Sequence, residues 1–105
     1  MKLISELMNS LMECSAACER CVNGCLNEGQ ALSCCRLCRD CADMCRLSFT
    51  LQSRQSHYLA EINRLCAEMC EECADECQKH AAMHEHCKIC EKACRACADA
   101  CREFA

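Results

Sequence analysis

Cysteine recurs in this chain with successive steps of four, three and four residues, four times over. The quartets are Cys14, Cys18, Cys21, Cys25; Cys34, Cys38, Cys41, Cys45; Cys66, Cys70, Cys73, Cys77; and Cys90, Cys94, Cys97, Cys101. On an α-helix each residue turns by about 100°, so such a quartet falls at roughly 0°, 40°, −20° and 20°, an arc of about 60°. With no proline and only Gly24 and Gly29 as glycines, long helices are the default wherever this period holds. Charged residues such as Glu13, Glu19, Arg39, Asp43, Glu72, Asp75, Arg95 and Asp99 avoid the stripe positions, which therefore read as inward-facing seams.

Four helical segments follow. The first spans about 3–26, with Leu7 and Leu11 leading into its cysteines. Gly24 lies inside it and costs about 1 kcal/mol against alanine unless a close contact needs it. The second begins at 31 or 33 and is expected to break around Phe49 and Thr50; the third and longest covers about 51–79. After a turn at 80–86, the fourth carries Cys87 and the last quartet to Phe104. The expected fold is all-α, an antiparallel up-down-up-down four-helix bundle with a cysteine-lined core, and by size 1–105 is a single domain. In that topology the cysteines of helices one and three share an end with the turns near Gly29 and His84. Leu3, Leu7, Leu11, Leu51, Leu59 and Ile62 are carried to the other end. A sulfur channel, open or gated at one end and plugged by hydrocarbon at the other, is the consequence. His80, Met83, His84 and His86 belong to the sulfur end, where soft or borderline ligands can receive metal.

A single buried cysteine is usually a small hydrophobe. Eighteen in 105 residues, with no Trp, one Tyr and two Phe, are a different matter. Each missing core hydrocarbon group costs on the order of 1 kcal/mol or more, so an interior filled with thiols implies an occupant. Structural disulfides are disfavoured, because Glu6, Asn9 and Glu13 interrupt the opening stretch and no Ala-x-Ala site follows it. A cytoplasmic chain with reduced thiols is expected, without a membrane span. The Cys-x2-Cys pairs lack the strand-to-helix setting of thioredoxin chemistry. Twelve basic and sixteen acidic side chains are intermixed, so neither nucleic acid nor an acidic membrane is an expected partner. No acid–base pair, nucleophile triad or phosphate loop appears, and no enzyme is expected.

The occupant is read as a soft metal. Zinc asks for discrete tetrahedral sites. Cys35, Cys38, Cys41 and Cys45 have a ferredoxin spacing, but Arg46 stands where that motif has proline, and the irregular loops that wrap a cluster are missing. Copper(I) is satisfied by two or three thiolates, and if each thiolate bridges two ions the capacity is about one ion per sulfur, roughly 18. A zinc or general heavy-metal buffer, or a copper chaperone or regulator with one exchangeable site, remains as an alternative.

The four quartets, the Cys34–Cys35 doublet and the histidine-containing turn before Cys87 resemble the cytosolic branch of the bacterial four-helix-bundle copper storage proteins over essentially the whole chain. The resemblance implies a bundle that fills its core with cysteine-bound copper(I), and a homotetramer. Cys14, Cys18, Cys21, Cys25, Cys34, Cys35, Cys38, Cys41, Cys45, Cys66, Cys70, Cys73, Cys77, Cys87, Cys90, Cys94, Cys97 and Cys101 match its core-thiol pattern. Met83, His84 and His86 are the candidate ligands at the entrance. Cys35 stands about 100° off its stripe and is expected to flank the cluster or to sit near an interface. Leu3, Ile4, Met8, Leu51, Tyr58 and Leu65 supply apolar surface for assembly.

Overall fold

The computed structural model describes residues 3–29 and 33–105, and in it the chain folds as four helices. They are α1 (Ile4–Asn27), α2 (Cys35–Ser53), α3 (Leu59–Gln78) and α4 (Glu85–Glu103). α1 packs against α2 and α4, α3 packs against the same two, and the diagonal pairs face each other only across the core. The ring of four is 41 Å long and 21 × 18 Å across. Sulfur contacts fix the directions: Cys14 lies beside Cys94 and Cys21 beside Cys87, so α1 and α4 run oppositely. Cys38 meets Cys77 and Cys41 meets Cys70, so α2 and α3 do as well. This is the antiparallel bundle that the quartets predict.

Three boundaries differ from expectation. α2 does not break at Phe49 and Thr50, because Phe49 packs against the core, and the Thr50 hydroxyl donates to the Arg46 carbonyl at 3.0 Å without interrupting the backbone ladder. The helix ends instead in a left-handed cap at Gln55, with φ 52°. There Gln55 N–H donates to the Gln52 carbonyl and Ser56 N–H to the Leu51 carbonyl, both at 3.1 Å, which satisfies carbonyls that a helix end leaves free. α3 consequently starts at Leu59, and α1, with 24 residues, is the longest helix. α2 also starts later than expected, at Cys35; Ala31 lies outside the described residues.

The non-sulfur end departs further from the expected hydrocarbon plug. Leu7 and Leu11 are fully buried, but Leu51, Leu59 and Ile62 are half-buried and Leu3 is 60% exposed. The space is closed instead by a polar knot of Ser48, Gln52 and Asn63. Asn63 Oδ1 accepts from Gln52 Nε2 at 2.7 Å and from Ser48 Oγ at 3.1 Å, while Asn63 Nδ2 donates to the Phe104 carbonyl at 3.2 Å. Polar side chains can be buried here because each finds a partner; among the described residues no buried side-chain nitrogen or oxygen lacks one.

Candidate metal centre

Every cysteine except Cys35 is fully buried, and the seams place their sulfurs in tiers along the bundle axis. At the end beside the α1–α2 and α3–α4 turns lie Cys21, Cys25, Cys34, Cys77 and Cys87. Next come Cys18, Cys38, Cys73 and Cys90, then Cys14, Cys41, Cys70 and Cys94, and toward the polar knot Cys45, Cys66, Cys97 and Cys101. Within the middle tiers Cys38 Sγ is 3.6 Å from Cys73 and 3.8 Å from Cys90, and Cys14 Sγ is 3.6 Å from Cys94 and 3.8 Å from Cys41. Tiers also touch one another: Cys18 is 3.7 Å from Cys94, Cys38 is 3.7 Å from Cys77, and Cys45 is 4.0 Å from Cys70. A disulfide needs about 2.05 Å, so these are thiol–thiol contacts.

The sulfurs form overlapping tetrads. Cys14 with Cys41, Cys45 and Cys70, Cys14 with Cys18, Cys41 and Cys94, Cys18 with Cys38, Cys73 and Cys90, and Cys21 with Cys34, Cys38 and Cys77 each have all four Sγ atoms within 4.8 Å of one another. A fifth group replaces one sulfur by nitrogen: Cys21, Cys25, Cys87 and His86. Cys14, Cys41, Cys18, Cys38 and Cys21 each belong to at least two groups, so the array is continuous rather than a set of separate cages.

Burial works against charge in this core. It pushes the Cys25 thiol above its ordinary range and the Cys87 thiol up to about 12. Where neighbouring S–H groups converge on one sulfur, its thiolate is favoured instead. Cys21 is drawn down chiefly by Cys34, and Cys73 falls to about 7 chiefly through Cys18. The array therefore shares protons among its members and exposes none of them to water except at Cys35.

The channel mouth, expected to be open or gated, is covered by a histidine ring. His86, in the first turn of α4, lies over Gly24 of α1, where a Cβ would fall 2.5 Å from the ring. That close approach is the reason for a glycine inside α1. Glu28, at the C-cap of α1, holds both rings: its carboxylate lies 2.6 Å from His84 Nδ1 and 2.9 Å from His86 Nε2. Burial pulls the His86 ring downward, but Cys21 and Glu28 outweigh it and hold the ring above its ordinary range. Met83 sits on the turn with 84% of its surface exposed. His80 makes a 2.8 Å hydrogen bond with Ser33 Oγ, and His57 is exposed at the other end. Sequence reasoning missed Glu28, because its partners come from a helix distant in sequence. Cys35 is half-buried at the first position of α2 and packs against the core from its flank, as its 100° offset predicts.

The family model described as Csp, copper storage protein, matches residues 1–105. The chain belongs to the copper storage protein family. Its fold superposes on apo copper storage protein 3 from Bacillus subtilis with a TM-score of 0.90 at 40% identity, covering 98% of this chain and 99% of that one. The Cu(I)-bound form of the Bacillus protein gives a TM-score of 0.86 at 38% identity over 94% of each chain. A cytosolic copper storage protein from Streptomyces lividans, holding five coppers, gives 0.88 at 36% identity, over 95% of this chain and 89% of that chain. A cysteine-rich Bacillus subtilis protein, YhjQ, is 41% identical over 84 residues, 77% of this chain and 76% of its own length.

Proposed function

We propose that residues 1–105 act as one storage domain that sequesters copper(I) inside the bundle, with the eighteen cysteines as ligands and His84, His86 and Met83 serving the entrance. The observation that carries this reading is the overlap of the tetrads. Zinc holds four thiolates to itself in a closed structural site, and neighbouring tetrads that share a sulfur cannot all be filled that way. Copper(I) uses two or three thiolates and tolerates bridging. With a metal–thiolate bond of roughly 2.3 Å, a trigonal site needs sulfurs about 4.0 Å apart and a linear one about 4.6 Å. Observed separations of 3.6 Å for Cys38–Cys73 and 4.0 Å for Cys14–Cys70 are within a few tenths of an ångström of the trigonal edge. Linear sites require a small spreading of the seams.

Charge points the same way. Each copper(I) that displaces a thiol proton leaves the core neutral, whereas a divalent ion on four thiolates leaves two negative charges in a low-dielectric interior. The array is thus suited to capacity rather than to one tuned site, which separates storage from a chaperone or regulator. We place the protein in the cytosol, like its Streptomyces relative; no described helix is long and apolar enough to cross a membrane. A homotetramer is the proposed assembly, with exposed Leu3, Ile4, Tyr58 and Leu65 available to it, and sedimentation of the reduced protein tests it. X-ray absorption at the copper edge tests the coordination. Two to three sulfurs per copper with short copper–copper distances are expected, and four-coordinate isolated ions would refute the shared array.

A further inference from the structure

Resting on the copper-storage reading, we propose that Glu28 is a positioning residue that sets His84 and His86 in opposite tautomers, so that His86 presents Nδ1 as a copper(I) ligand beside Cys21, Cys25 and Cys87. A carboxylate can only accept, so each ring nitrogen that touches Glu28 must carry the proton. Glu28 Oε1 faces His86 Nε2 at 2.9 Å and Oε2 faces His84 Nδ1 at 2.6 Å. The neutral rings are therefore Nε2–H at His86 and Nδ1–H at His84. That leaves the His86 lone pair on Nδ1, which is the nitrogen 3.4 Å from Cys87 Sγ; the thiol donates to it. A carboxylate behind a histidine fixes which nitrogen is free and raises its basicity, the usual arrangement behind metal-bound imidazole.

Two further features show that the ring is placed rather than merely tethered. Gly24 supplies the bed: a Cβ there would fall 2.5 Å from His86 Cδ2 and 2.7 Å from Cγ, so only glycine lets the ring lie this close to α1. Glu28 follows one turn later on the same helix, and its N–H donates to the Gly24 carbonyl at 3.1 Å, so bed and clamp are parts of one helix end. The other three groups of the cluster are already buried sulfurs. His86 is the borderline ligand at the boundary between solvent and an otherwise all-sulfur array. On binding, Cu–Nδ1 and Cu–Sγ bonds form, the Cys87 S–H bond breaks, its proton leaves to buffer, and no electron changes hands.

The test uses the full chain, reduced and metal-free, at a pH above the histidine range. Long-range nitrogen-15 correlations should show Nε2–H at His86 and Nδ1–H at His84, and the first additions of copper(I), delivered anaerobically as its acetonitrile complex, should shift His86 Nδ1. Glu28→Ala should mix the tautomers and slow initial uptake about tenfold or more, with the final copper content unchanged. Glu28→Gln keeps one acceptor oxygen where Glu28 has two, so it should hold only one of the two rings in its tautomer and restore the rate only in part. Gly24→Ala should displace the ring and slow uptake while helicity is kept, since alanine favours the helix. The proposal fails if apo His86 carries its proton on Nδ1, if copper shifts Nε2, or if both Glu28→Ala and Gly24→Ala load at the parent rate. Failure of the unsubstituted chain to take up copper would overturn the storage reading and this one with it.

Discussion

Replacing Asn63 by alanine removes the centre of the polar knot and should destabilise the metal-free bundle severely. Asn63 is fully buried and makes three hydrogen bonds, two accepted from Ser48 and Gln52 and one donated to the Phe104 carbonyl. Gln52 already lies 3.3 Å from Ser48 Oγ, so these two can partly satisfy each other. One donor and the Phe104 carbonyl are left without a partner, at about 1–3 kcal/mol each. The vacated volume adds about 1 kcal/mol. The total, about 3–7 kcal/mol, corresponds to a fall in melting temperature of at least about 12 °C for a domain of this size. Circular dichroism melts of reduced, metal-free protein measure it. Converting all three residues to apolar ones should recover part of the loss, because only the Phe104 carbonyl then remains orphaned. A fall of only a few degrees in Asn63→Ala would show that water replaces the lost partners and that the end of the bundle is not closed by this network.

Three other outcomes are expected. Cys25 and Cys87 have thiols pushed up by burial, Cys87 to about 12; such groups contribute fully below the unfolded thiol value of about 8.5, and their contribution is lost as the pH rises through the folded value, so metal-free protein should weaken across that alkaline window while copper-loaded protein, with no proton left to lose there, should not. A flat melting profile for the metal-free form would contradict this. Gln55→Gly should stabilise by about 1 kcal/mol, since the left-handed cap there suits glycine; a lower melting temperature would refute the cap. Cys18→Ala with Cys73→Ala, both from one tetrad, should lower copper capacity by about two ions, whereas alanine at Met83, His84 and His86 should leave it intact; elemental analysis of loaded protein separates these, and equal losses would refute the division between store and entrance.

Much of the bundle is legible because its cysteine spacing is periodic. The quartets name the inward face of each helix, and the antiparallel order then brings Cys21 to Cys87 and Cys38 to Cys77. The polar knot was legible too, in retrospect. Cys41, Cys45, Ser48 and Gln52 continue the steps of four, three and four, as do Leu59, Asn63, Cys66 and Cys70, so the knot residues lie on the seams. Residue type argued against burial there, and position won because the three side chains satisfy one another. The mouth was not legible. Gly24 and Glu28 acquire their meaning from His84 and His86, some sixty positions away, and no local spacing announces a contact between a helix C-terminus and the turn that leads into α4. The end of α2 was misplaced for another reason: Phe49 and Thr50 are poor helix formers in isolation, and packing of Phe49 against the core overrides that preference.

The central claim is that one continuous set of shared thiolates stores copper(I). Anaerobic titration of the fully reduced chain with copper(I) against a competing chelator, with copper and protein quantified at the endpoint, tests it most directly. The account predicts saturation at about one copper per cysteine, roughly 18 per chain, with about one proton released for each ion. Saturation at about four ions, each holding four thiolates to itself, would contradict it.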